Sequence, residues 1–269
     1  MTDEESDELE NNVGENNDEL GDITFVPSVH YSPAHVRRVD QTIREAEPDV
    51  VAIELGDRRF RKLDRGEDLD PREMADELPG SARLAYMAFK AIQENMVGNY
   101  RGLDTNDTDM NAAVRTAAAT DTPIALIDDP VNETFGDILD NVSLRDIPEI
   151  LSRAQDVDEE QAEELQEYQK SMMEDIGEVE SGDDIQPMVD HFRGIAPEIT
   201  DVLIDKRDRT MAERLHRIRE NGYDAVAIIG AGHHNGILTH LERLENQNDT
   251  PEVTVPIRES EQEVTDIPL

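Results

Sequence analysis

Four short apolar runs, each bounded by turn residues, constrain the fold of this chain more than any other feature. They are Ile23–Pro27, Val50–Leu55, Ile124–Ile127 and Ala225–Ile229. Each run is rich in aliphatic residues and apolar on both faces, which is typical of strands that are buried on both sides of a sheet. A further run, Val253–Ile257, alternates more between apolar and polar residues. It predicts an edge strand.

Helical periodicity fills the intervals between these runs. Pro33 predicts the first turn of a helix that ends near Ala46. Further helical patterns cover Leu84–Met96, Asp109–Ala119 and about residues 199–221. Strands that alternate with helices predict an α/β fold with a layered, largely parallel or mixed central sheet flanked by helices. The chain contains no Walker or dinucleotide glycine pattern.

Residues 140–200 form an acidic segment with a narrow apolar seam at helical spacing, from Leu165 to Ile176. The seam predicts a helical insertion that either covers the sheet as a lid or meets another subunit of a homo-oligomer. The first 21 residues are predicted to be a disordered acidic tail, because they contain almost no apolar side chains. We predict a single domain over residues 22–258 and a flexible tail over residues 259–269.

The charge of the chain excludes several kinds of partner. It has 64 acidic and 25 basic side chains, a formal net charge of −39. Nucleic acid is excluded as a direct partner, because binding it needs clustered lysine and arginine. No apolar run approaches the roughly 18 residues of a membrane-spanning helix. The even acidity predicts a halophilic, cytoplasmic protein whose self-repulsion is screened by salt.

Polar side chains follow each of the four main strands at its carboxyl end. They are His30, Glu54, Asp128 and His233. In open α/β sheets, ligands bind beyond the carboxyl ends of the strands. Two histidines and one glutamate form a known zinc ligand set, and such a metal activates a water molecule for hydrolysis. Because the chain has no cysteine, a divalent ion would bind only histidine and carboxylate side chains, which do not distinguish Zn²⁺ from Mn²⁺.

Each of these residues also has a purely structural interpretation. His30 could bond to the backbone at the end of its strand. Glu54 could pair with Arg58 or Arg59, and Asp128 could cap the next helix. His233 could simply begin the helix that follows a sharp turn at Gly230 and Gly232. The interpretation as a site depends on the four strand ends lying on the same side of the sheet.

The same residues carry a resemblance to a known family. The chain resembles the TraB/PrgY/GumN family in three patches: Phe25–Ser32 with Pro48–Leu55 and Arg59, then Asp109–Ala113 with Ile127–Val131, then Arg207-Asp208 with Gly230–His233. In some members of this family, two Gly-x-x-His elements and the glutamate between them are thought to form a metal-dependent peptidase site. Other members are linked to the shutdown of peptide pheromones.

The resemblance implies that His30, Glu54 and His233 hold a divalent metal, with Glu54 as a third ligand or as the general base. We interpret Arg59 and Arg207 as side chains that orient the carboxylates or polarise a scissile carbonyl. Asp128 would hold a ligand histidine in one tautomer. Together these residues predict a metal-dependent hydrolase that acts on a peptide or another small-molecule substrate.

Two departures from the family pattern favour other functions. Pro27 stands where the first element has glycine, and Asp129 stands where the middle motif commonly has arginine. A protein that binds and sequesters a peptide or small molecule without cleaving it is therefore the alternative hypothesis. A third is an oligomeric scaffold in which the acidic segment around Leu165–Ile176 meets a second copy.

Overall fold

The computed structural model describes residues 20–29, 32–67, 108–130, 152–153, 167–168, 170–171, 176–247 and 252–260. The strands there are β1 (Ile23–Ser28), β2 (Val50–Ile53), β3 (Ile124–Leu126), β4 (Ala225–Gly230) and β5 (Ile257–Arg258). The helices are α1 (Pro33–Ala46), α2 (Asp57–Asp64), α3 (Asp109–Thr120), α4 (Gln186–Ile195), α5 (Pro197–Thr200), α6 (Lys206–Glu220) and α7 (Ala231–Gln247). Short 3₁₀ turns occupy Ile176–Glu178 and Gly182–Asp184, and a π-helical turn, Asp201–Asp205, connects α5 to α6.

The strands form one mixed sheet in the order β1-β4-β2-β3-β5. The first four are parallel to their neighbours, and β5 pairs antiparallel with β3 at the edge. The prediction of a layered α/β fold with a largely parallel or mixed sheet is confirmed. Because β1, β4, β2 and β3 are parallel and adjacent, their carboxyl ends lie along the same side of the sheet.

Both faces of the sheet are covered, as the apolar runs predicted. On β2, Val51 and Ile53 belong to a core with residues of α1, α2 and α3, whereas Val50 and Ala52 belong to a second core with residues of α6 and α7. Alternate residues of one strand thus enter opposite cores. This explains why the strands are apolar throughout their length.

The ends of the elements depend on individual residues. Thr108 caps α3 by accepting a hydrogen bond from the Asn111 backbone N–H (3.2 Å). Pro27 lies inside β1 and has no backbone N–H, which is tolerated because β1 is an edge strand. The edge strand predicted over Val253–Ile257 is shorter and later than expected: only Ile257 and Arg258 pair with β3. Pro256, within that run, has no N–H to donate.

The helices predicted near Pro33–Ala46 and Asp109–Ala119 are present, and the helix predicted from about residue 199 is built from α5, the π turn and α6. Gly21, which we assigned to the disordered tail, is part of the fold, because its backbone N–H bonds to the Arg219 carbonyl (2.8 Å). His30, the Leu84–Met96 helix, about half of residues 140–200 and both remaining tails lie outside the described residues. Among the helices that the structure describes, none combines the length and the apolar content needed to cross a bilayer.

Candidate functional site

Arg207 lies at the centre of a buried polar cluster beyond the carboxyl ends of the parallel strands. We call Glu54, Asp128, Arg207, Asp208 and His233 the Arg207 cluster. Glu54 follows β2, Asp128 follows β3, and His233 lies in the first turn of α7, which continues directly from β4. Arg207 and Asp208 reach the same place from the first turn of α6. The strand ends predicted to converge therefore do so at β2, β3 and β4.

All five N–H groups of the Arg207 guanidinium have an acceptor. Nε donates to Asp128 Oδ1 (3.1 Å), and Nη2 donates to Asp128 Oδ2 (2.9 Å) and to Glu54 Oε1. Nη1 donates to the Leu203 carbonyl (3.2 Å) and to His233 Nε2 (3.1 Å). Since a guanidinium has five donors in a fixed plane, Arg207 would have to release a present partner before it could bind a substrate carbonyl or carboxylate.

The charges around Arg207 stabilise its protonated form. Burial by itself would lower the pKa of Arg207, but Asp128 and then Glu54 outweigh it and raise that pKa above its ordinary value. Both carboxylates are themselves almost fully buried. Removing the guanidinium would leave two buried anions without their cation, and breaking a buried pair of this kind costs about 3–5 kcal/mol.

Glu54 is bonded on both of its carboxylate oxygens. Oε2 accepts the backbone N–H of Gly230 (2.6 Å), at the junction of β4 and α7. The amino end of α7 carries the positive end of the helix dipole, which favours an anion there. Oε1 points towards Arg207 and lies 3.4 Å from His233 Nε2. The carboxylate is therefore held in one orientation by two elements far apart in the sequence.

The contacts of His233 fix its tautomer. Nε2 faces Arg207 Nη1, which can only donate, so Nε2 is the acceptor of this bond. Nδ1 lies 2.6 Å from Asp208 Oδ1, so Nδ1 carries the proton and its N–H donates a hydrogen bond to the carboxylate. Burial raises the pKa of Asp208, and the hydrogen bond to His233 opposes that shift. The result is a neutral imidazole whose Nε2 lone pair faces Glu54 and Arg207.

The segment from Ile176 to Asp184 is bonded to histidines of α1 and α7. His35, fully buried on α1, accepts the Val29 backbone N–H at Nδ1 (2.9 Å) and donates from Nε2 to the Val179 carbonyl (3.1 Å). On the other side, the Gly182 backbone N–H donates to His234 Nδ1 (3.0 Å). Two neutral histidines thus attach this segment to α1 and to α7.

Four of the six residues that we singled out from the sequence meet in the Arg207 cluster: Glu54, Asp128, Arg207 and His233. His30 lies outside the described residues, so its metal-ligand role stays a prediction. Arg59 lies in the first turn of α2 and is half-buried, and its role in orienting a carboxylate or substrate stays a prediction too.

The carboxylate that contacts His233 Nδ1 is Asp208 and not Asp128, and the predicted role of Asp128 towards a ligand histidine stays a prediction, because His30 lies outside the described residues. Asp208 therefore fixes the tautomer of His233, whereas Asp128 is held by two parallel bonds from Arg207. Asp208 was missed although it directly follows Arg207 in the sequence. Asp129, which replaces the arginine of the family motif, pairs with Arg214 of α6 (2.7 Å) and so is tied to the same helix as the cluster.

The separation of two atoms in the cluster fits a shared metal ion. Two ligands bound tetrahedrally at about 2.1 Å from zinc lie roughly 3.4 Å apart, and His233 Nε2 lies 3.4 Å from Glu54 Oε1. The carboxylate on Nδ1 also matches the usual outer partner of a metal-bound histidine. Among the described residues, which do not include His30, no three histidine or carboxylate side chains form a group that could hold a metal.

Comparison with known proteins identifies a family that this chain matches. A model of the TraB/PrgY/gumN family matches residues 15–253, most of the chain. The uncharacterized protein MJ1365 of Methanocaldococcus jannaschii is 29% identical over 230 residues, which cover 85% of this chain and 55% of that relative. This chain thus spans about half the length of that relative.

Proposed function

The chain belongs to the TraB/PrgY/gumN family, and we propose that it is a metal-dependent hydrolase that cleaves peptide bonds. His233 and Glu54 would hold the divalent ion, with His30 as the expected third ligand. When bound, such an ion supplies Lewis acidity, which polarises a carbonyl and acidifies water. One observation carries the proposal: the 3.4 Å separation of His233 Nε2 and Glu54 Oε1, both at the carboxyl end of the sheet.

Neighbouring groups set the tautomer of His233 and the orientation of Glu54. Asp208 accepts a hydrogen bond from the Nδ1–H of His233, which leaves the lone pair on Nε2. The backbone N–H of Gly230 donates a hydrogen bond to Glu54 Oε2, so Oε1 is the oxygen that faces His233. Both donors are almost fully buried, and a buried site strengthens electrostatic interactions and excludes competing water.

The proposal is tested by counting metal ions. We would purify the protein in high salt, equilibrate it with Zn²⁺ or Mn²⁺, remove excess ions and measure the bound metal. We expect about one ion per chain in the wild type and a loss of at least about tenfold in affinity for His233→Ala and Glu54→Gln, because a ligand contributes more than the outer partners that cost 10–100-fold. His191→Ala removes an imidazole from α4 and serves as the matched control.

Hydrolysis is then measured with a mixture of unstructured peptides, read by mass spectrometry. Cleavage in the wild type that is lost in His233→Ala supports the hydrolase. Saturable binding with intact peptide recovered would instead favour the sequestering protein that Pro27 and Asp129 suggested. Equal, negligible metal in the wild type, His233→Ala and Glu54→Gln would contradict the metal site.

A further inference from the structure

The guanidinium of Arg207 contacts the same two atoms that the proposed metal would bind. Nη1 lies 3.1 Å from His233 Nε2, and Nη2 donates to Glu54 Oε1. The cluster contains three carboxylates and one guanidinium, which leaves a formal charge of −2 with His233 neutral. The site therefore already holds a cation, and that cation is part of the chain.

The guanidinium and a metal ion cannot use these atoms at the same time. Nε2 of a neutral imidazole has one lone pair. While it accepts the hydrogen bond from Nη1, it cannot coordinate a metal. Two cations this close would also repel each other strongly, because the site is shielded from water.

Arg207 can stay bonded to Asp128 while it releases His233 and Glu54. The Nε and Nη2 bonds to Asp128 are parallel, the geometry in which arginine binds a carboxylate most strongly. They can persist when Nη1 leaves His233 and the second Nη2 hydrogen leaves Glu54. The remaining bond, from Nη1 to the Leu203 carbonyl, ends in the π turn Asp201–Asp205. Turns of this kind often occur inside helices at functional sites.

We infer that Arg207 is a tethered competitor for the metal: it holds His233 and Glu54 when the ion is absent, and withdraws onto Asp128 when the ion binds. This inference rests on the proposed metal site. It makes the metal affinity of the protein depend on the strength of two hydrogen bonds that Arg207 must give up. Arg207 also supplies a buried positive charge beside the carboxylates in the metal-free protein.

The test is the affinity for Zn²⁺, measured in high salt by competition with a chromophoric chelator. Arg207→Met removes the competing cation, and we expect it to bind Zn²⁺ at least about tenfold more tightly than the wild type, which corresponds to about 1.4 kcal/mol. Arg214→Met removes a positive charge two turns further along α6, where it pairs with Asp129. We expect that control to change the affinity much less. Equal gains in both variants would mean a general charge effect and would overturn the competition.

A second variant keeps the inference testable if Arg207→Met folds poorly. Arg207→Lys retains one charge but lacks the planar fork, so we expect an affinity between those of the wild type and Arg207→Met. The rise in Tm on adding Zn²⁺ should follow the same order, because a ligand that binds only the folded state stabilises it more as its affinity increases. Unchanged or weaker binding in both variants would overturn the inference.

A failure of the competition can be distinguished from a failure of the metal site. If Zn²⁺ binding depends on His233 but does not increase in Arg207→Met, the competitor role is wrong and the metal site stands. If the gain in Arg207→Met persists after His233→Ala is added, the ion binds elsewhere and the proposed site is wrong as well.

Discussion

Gly236 of α7 faces the carboxylate of Asp208 so closely that no side chain fits between them. A Cβ atom on Gly236 would lie 1.8 Å from Asp208 Oδ2 and 2.6 Å from its Cγ. Gly236 comes three residues after His233 on the same helix, so both face one side of α7. The helix thus presents the imidazole and, one turn later, the space that its carboxylate partner needs.

We predict that Gly236→Ala displaces Asp208 and breaks its hydrogen bond to His233. Overpacking of a closely packed site costs about 1–3 kcal/mol, and the lost bond adds to this. The free energy of unfolding is measured by denaturant titration. Gly194→Ala on α4 is the matched control: a Cβ there meets nothing within 4 Å, so we expect it to be neutral or to stabilise the helix by up to about 1 kcal/mol. Similar effects in the two variants would contradict the packing argument.

The charge of Asp208 should matter for the metal and much less for the fold. Asp208→Asn keeps the size of the side chain, and it removes a carboxylate whose pKa is raised by burial. We therefore expect little loss of stability. Metal affinity should fall about 10–100-fold, as for other outer partners of a histidine ligand.

Equilibrium dialysis with Zn²⁺ measures the effect of Asp208→Asn. Asp129→Asn is the control, because Asp129 pairs with Arg214 and not with His233. A Zn²⁺ affinity in Asp208→Asn equal to that of the wild type would show that the carboxylate does not tune His233.

The fold could be predicted from the sequence where burial imposes a composition. Strands covered on both faces must be apolar throughout, so β2 and β4 were evident from their residues. The order β1-β4-β2-β3-β5 was not evident, because parallel strands with similar compositions are interchangeable in a sequence. The position of β5 was displaced, since a pairing of two residues leaves almost no periodicity to detect.

The site was predictable where strand ends determine it, and not where one side chain selects another. Glu54, Asp128 and His233 follow from strand positions alone. Asp208 does not, because it lies on a helix and not at a strand end, and it is one of 64 acidic side chains. Asp128 and Asp208 are both aspartates of the cluster, and only the structure shows that Arg207 holds the first and His233 contacts the second.

The neutral state of His35 gives a prediction for pH. Burial lowers the pKa of His35 below its usual 6.5, and Arg38 lowers it further, whereas bonds to Val29 and Val179 and the charge of Asp109 oppose the shift. The unfolded chain therefore takes up a proton near pH 6.5 while the folded chain does not. Stability should be full above that pH and should fall as the pH decreases towards the lower, folded-state pKa.

Urea unfolding at several pH values between about 7 and 5 measures this slope. His35→Gln retains a donor and an acceptor but does not titrate, so the decline of stability with acid should be shallower in this variant. His191, His234 and His240 also have lowered pKa values, so some decline should remain. An identical slope in the wild type and in His35→Gln would contradict the role of His35.

Salt should stabilise this protein, because its 39 uncompensated negative charges repel one another more in the folded state than in the expanded chain. Raising KCl from about 0.1 M to about 1 M shortens the screening length from about 10 Å to about 3 Å, and Tm should rise. The opposing loss is small: exposed pairs such as Arg44–Asp40 and Arg61–Asp57 contribute about 0.2–1 kcal/mol or less each, and the buried Arg207 cluster is screened little. Screening predicts a steep rise at low salt that flattens near 1 M, whereas exclusion of salt from the surface would continue to raise Tm at higher concentrations. A Tm that falls or stays constant over the low-salt range would show that self-repulsion does not limit the stability of the fold.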